Sequence, residues 1–121
     1  MAIRELSLDP DPAVALTAVR AASEERAVLV FKRSPVCPVS WAAERELAGW
    51  RQAAGSDADV AIAVVDVIAE RPLARGLTAA LEVQHESPQA LWFEGGELVA
   101  HGSHGALTAE WFEERRARRE G

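Results

Sequence analysis

A chain of 121 residues can bury one hydrophobic core but is short for two, so a single domain over residues 1–121 is expected. Apolar residues make up 49% and charged residues 26%, the proportions of a globular protein, and a net charge of −6 argues against a nucleic-acid partner. No run approaches the roughly 18 apolar residues of a membrane helix, Glu5 and Asp9 interrupt any signal-like segment, and a lone cysteine suits reducing surroundings, so a cytoplasmic protein with no membrane partner is expected.

Ile3–Leu6 reads as a short first strand. Asp11 is a good helix cap, Pro12 suits the first helical position, and a helix is predicted from Ala13 to about Ser23. Ala27–Lys32 is a continuous apolar run of strand length, the pattern of a strand covered on both faces. The loop 33–36 then leads to Cys37-Pro38, which opens a helix to about Ala54 with Val39, Ala43, Leu47 and Trp50 on one face and Gly55-Ser56-Asp57 as its stop.

Val60–Asp66 is a second covered strand, ended by an Asp66 that reads as a turn former. Pro72 opens a shorter helix with Leu73, Leu77 and Leu81 in one stripe. Ala90–Phe93 is a third core strand, joined through the turn Glu94-Gly95-Gly96-Glu97 to Leu98–His101. Thr108 caps a last helix from Ala109 to about Arg118, whose basic end suits the helix dipole. The order β-α-β-α-β-α-β-β-α predicts an α/β domain of thioredoxin-like topology, a central mixed sheet flanked by helices. Periodicity alone admits other small α/β folds.

Cys37 follows a covered strand and precedes a helix, so it falls at a helix N-terminus, where unpaired amides and the dipole favour a thiolate. Lys32 and Arg33 lie close in sequence and add positive charge. A lone cysteine is more often an inert core residue. The prolines around it and its place at the carboxyl end of a strand favour the reactive reading. Ser40 makes the motif C-x-x-S. A serine cannot form the second sulfur bond that resolves a mixed disulfide, so that thiol must come from outside; Ser40 either donates to the Cys37 thiolate or is a plain first-turn residue. Pro88 leads into the third core strand. On topology it takes the position of a cis-proline facing the reactive cysteine, leaving the Ser87 backbone for an extended substrate segment; on spacing alone a trans turn proline is commoner.

The segments 31–40 (FKRSPVCPVS), Arg71-Pro72, His85-Glu86-Ser87-Pro88-Gln89 and Ser103-His104, in matching order from about Ala27 to Phe112, resemble the YtxJ-like monothiol bacilliredoxins. The resemblance implies a thioredoxin fold and removal of bacillithiol from S-bacillithiolated client proteins. It makes Cys37 the nucleophile and Pro88 the shaper of the substrate groove. Bacillithiol is then the co-substrate, with no bound cofactor, and the enzyme is expected to act as a monomer. The family often has histidine where Arg33 stands and threonine where Pro35 stands; Arg33 keeps a positive charge there.

Pro38, Ser40 and Arg33 are thus expected to support the thiolate. Trp41, His85, Glu86, Ser87 and Pro88 are expected to line the groove. His101, His104 and His85 do not make a specific metal pattern with Cys37, so no metal is expected, and His104 reads as a cap or packing residue at the start of the last helix. Trp50, Trp92 and Trp111 read as core or half-core. Two other functions remain open: a glutaredoxin-like enzyme for another small thiol, and a non-catalytic binding module.

Overall fold

The computed structural model describes residues 4–54 and 59–120; the predicted stop at residues 55–57 lies outside them. The elements are β1 (Arg4–Glu5), α1 (Pro12–Ala22), β2 (Ala27–Arg33), α2 (Pro38–Ala54), β3 (Val60–Asp66), α3 (Arg71–Ala80), β4 (Gln89–Glu94), β5 (Glu97–Ser103) and α4 (Ala109–Glu120), with a 3-10 turn at His104–Ala106. They form one five-stranded mixed sheet in the order β1-β3-β2-β4-β5. β1, β3 and β2 run parallel, and β4 and β5 continue antiparallel. No helix is long and apolar enough to cross a membrane, among the described residues.

The covered strands divide their side chains between two cores. Ala27, Leu29 and Phe31 of β2 join Ala43, Leu47 and Trp50 of α2 and Phe112 of α4 on one face. Val28 and Val30 join Ala15 and Val19 of α1 and Leu73, Ala74 and Leu77 of α3 on the other. The predicted α2 stripe is shifted by one residue at its start: Val39 is 44% exposed and Ser40 is buried in its place. Leu81, the predicted end of the α3 stripe, is the C-cap and only half-buried.

Local signals act as their chemistry dictates. Asp11 Oδ1 accepts from the amides of Ala13 and Val14, with Pro12 as the first helical residue. Gly95 and Gly96 turn the β4–β5 hairpin with φ of +59° and +85°, a pair of values that side chains resist. That turn is tied to the end of α1, where Ser23 accepts from both glycine amides. α1 and α3 pack so closely at Gly76 that a Cβ there would lie 2.3 Å from Pro12 Cγ.

Candidate active site

Parallel pairing of β2 with β3 sets Arg33 opposite Asp66 at their carboxyl ends. α2 and α3 therefore start on the same rim of the sheet, and β4 begins there too, with Gln89 opposite Lys32. This rim gathers the residues singled out from sequence.

Cys37 is partly exposed at the entrance to α2, between the exposed Val36 and Pro38. Its carbonyl accepts the first helical bond, from Trp41 N at 3.1 Å, so the amides of the first turn precede any intrahelical acceptor. Pro38 brings no amide of its own and fits the first helical position. Negative charge on Sγ is favoured at such a site.

The approach loop is folded back on that first turn. Cys37 N donates to Ser34 O, Ser34 N donates to Ser40 Oγ at 2.9 Å, and Trp41 Nε1 donates to Pro35 O at 3.0 Å. Ser40 is thus a first-turn residue of α2 whose hydrogen bonds go elsewhere than to Cys37. It is buried, and its hydroxyl proton goes to Glu44 Oε2 at 3.3 Å. Arg33 also departs from expectation. Its guanidinium lies 2.6 Å from Glu44 and 3.4 Å from Asp66, so its charge is engaged by two carboxylates instead of being left for the thiolate. Asp66 is the expected turn former: Oδ1 accepts from Ile68 and Ala69, and these two amides, ahead of Arg33, hold its carboxyl below the usual range.

The second loop arrives from the other side. The Ser87–Pro88 peptide bond is cis, as the topology suggested. His104 N donates to Pro88 O at 3.0 Å. His104 therefore does not cap α4; it sits in the 3-10 turn, with its Nε2 2.6 Å from Glu86 Oε2. Ser87 Oγ is covered and has no hydrogen-bond partner. Trp41 is 46% exposed beside Cys37, while Trp50 and Trp92 are buried and Trp111 packs against the core.

Sequence reasoning gave Lys32 only a supporting charge and missed Gln89. Lys32 is fully buried, 2.7 Å from both His85 Nδ1 and Gln89 Oε1. Gln89 also accepts from Glu86 N and donates to Gln84 O, so it braces the loop before Pro88. Burial, and next the charge of Arg75, lower the Lys32 pKa to about 8, against a smaller opposing effect of Glu86. Burial and the Lys32 charge lower that of His85 as well. An ionisable side chain inside the run AVLVFKR was the available signal. A groove of about 430 Å³ between α2 and α4, lined by Trp50, Ala53, Ala109 and Glu113 among others, contains none of these residues.

The family model described as monothiol bacilliredoxin BrxC matches residues 12–111. Among solved structures, a candidate oxidoreductase with a thioredoxin fold shares 26% identity at a TM-score of 0.69, over 91% of each chain. The thioredoxin of Fasciola hepatica shares 17% identity at 0.66, over 96% of this chain and 98% of its own. A thioredoxin variant from Halobacterium salinarum shares 20% at 0.67, over 98% of this chain and 94% of its own. The fold is that of thioredoxin, and the family match supports a thiol redox role.

Proposed function

The chain belongs to the monothiol bacilliredoxin family, and from that premise we propose that it removes bacillithiol from S-bacillithiolated client proteins through Cys37. The observation that carries this reading is a partly exposed thiol at the start of α2 in a chain with no second cysteine. Such a thiol can exchange disulfides only with other molecules.

The Cys37 thiolate attacks the bacillithiol sulfur of the mixed disulfide. A new sulfur–sulfur bond forms at Cys37, the old one breaks, and the client leaves with the electron pair as a thiolate that takes up a proton. A second bacillithiol thiolate then attacks the adduct, frees Cys37 and departs as bacillithiol disulfide. Over the cycle the client's mixed disulfide is reduced to a thiol and bacillithiol is oxidised to its disulfide, in a cytoplasmic setting that supplies reduced bacillithiol. Pro88 and the Ser87 backbone flank the client segment, with Trp41 as an apolar neighbour. In this scheme the enzyme acts as a monomer.

The test is intact mass after reduced protein meets oxidised bacillithiol or, separately, oxidised glutathione, with Cys37→Ser as control. A rapid bacillithiol adduct on the native chain alone, cleared by excess bacillithiol, supports the proposal. A faster glutathione adduct assigns the enzyme to another small thiol, and no adduct with either leaves a binding module.

A further inference from the structure

The rim that carries Cys37 also gathers positive charge that no ion pair among the described residues neutralises. Lys32, the only lysine of the sequence, is fully buried, and its two partners His85 and Gln89 are not anions. Among the described residues no carboxylate lies within ion-pair distance of its ammonium. Buried charges are normally paired, because taking an ion out of water without a counter-charge is costly.

Arg71 and Arg75 stand one turn apart on the exposed side of α3, and neither makes an ion pair among the described residues. Arg71 opens α3 five residues after Asp66, on the sheet rim where β3 pairs with Lys32 and Arg33, and Arg75 follows on the next turn; the charge of Arg75 acts on Lys32 and His85, and that of Arg71 on His85. The nearby carboxylate, Glu86, acts on Lys32 and His85 only from beyond ion-pair distance and shares a hydrogen bond with His104. The three cations converge on His85, in the loop that leads to Ser87 and Pro88.

We propose that Arg71 and Arg75, backed by Lys32, form a carboxylate-binding subsite for the small thiol whose sulfur is exchanged at Cys37. The subsite rests on the small-thiol reading above and names the chemistry by which that thiol is recognised. Guanidinium forks match a carboxylate in two parallel hydrogen bonds. The Lys32 ammonium can only donate, so His85 Nδ1 accepts and the ring proton sits on Nε2, one further donor. The covalent step is the exchange already described; the subsite binds and orients the arriving half.

Three disulfides of similar size separate charge from reactivity: 3,3′-dithiodipropionate (anionic), bis(2-hydroxyethyl) disulfide (neutral) and cystamine (cationic). The readout is the rate of adduct formation at Cys37, by mass, in low and high salt. The native chain should react fastest with the anionic compound. Arg71→Gln with Arg75→Gln should lower that rate about tenfold while leaving the neutral rate within about twofold. Salt should act in the same direction, and Arg118→Gln on the exposed end of α4 should change nothing. An anionic-to-neutral ratio that is unaltered in the double variant, or a native preference for cystamine, overturns the subsite alone. A Cys37 that reacts with none of the three overturns the thiol-exchange reading and the subsite with it.

Discussion

Lys32→Met tests the buried ammonium directly. The folded chain holds the Lys32 pKa at about 8, against 10.5 for an unhindered lysine. The unfolded state therefore binds this proton more tightly, and between the two values native stability rises with pH. Below pH 8 the cost of the buried charge is carried in full. At about 1.4 kcal/mol per pH unit, the interval corresponds to about 3 kcal/mol, and partial relaxation around the group reduces this to about 2–3 kcal/mol. Methionine removes the charge but also the hydrogen bonds to His85 and Gln89, each worth about 1 kcal/mol. The absolute change at pH 7 is thus a difference of similar terms, and the slope is the diagnostic. Urea unfolding of both proteins between pH 7 and 10.5, followed by tryptophan emission, should show the native chain gaining about 2–3 kcal/mol on the variant. The chain has no tyrosine and no other lysine, and every remaining ionisable group is common to both proteins. Parallel stability curves would refute the buried charge.

Gly76→Ala drives a Cβ to 2.3 Å from Pro12 Cγ and should lower stability by about 2 kcal/mol, whereas Gly49→Ala, with nothing within 4 Å on α2, should raise it by up to about 1 kcal/mol; thermal melts that rank the two the other way would overturn the packing account. Ser40→Ala removes the acceptor for Ser34 N and the donor to Glu44, and should lower stability by about 1–2 kcal/mol while Cys37 adduct rates stay within about threefold. A rate collapse in that variant at unchanged stability would return Ser40 to the thiolate. Asp66, whose folded pKa lies below its ordinary value, contributes stability that is present above the unfolded pKa and lost as pH falls through the folded one. Asp66→Asn should therefore destabilise at pH 7 more than at pH 3, and equal losses at both would count against its turn role.

Much of the frame was legible because strands buried on both faces and capped helices write local patterns: Ala27–Lys32, Asp11-Pro12 and the glycine pair all did so. The cis-proline position was legible only through topology. What sequence missed is non-local. Arg33 and Asp66 are 33 residues apart, and Lys32 and Gln89 are 57 apart. Strand register, not spacing, brings each pair together. The same cause hid the burial of Ser40, which follows from the approach loop folding onto α2.

The distribution of the four tryptophans has an optical consequence. Trp50 and Trp92 pack edge to face at 6.3 Å and donate to Glu113 and Glu94, and Trp111 lies against Phe112 and Arg115. Trp41 alone among them is exposed, one helical turn from Cys37 and pinned to the approach loop through Pro35. Disulfides quench indole emission at short range. The red-shifted part of the spectrum, which comes from the solvated indole, should therefore dim when Cys37 takes up an adduct and recover when it is released. The protein carries a built-in optical gauge of its own modification, with no label to attach.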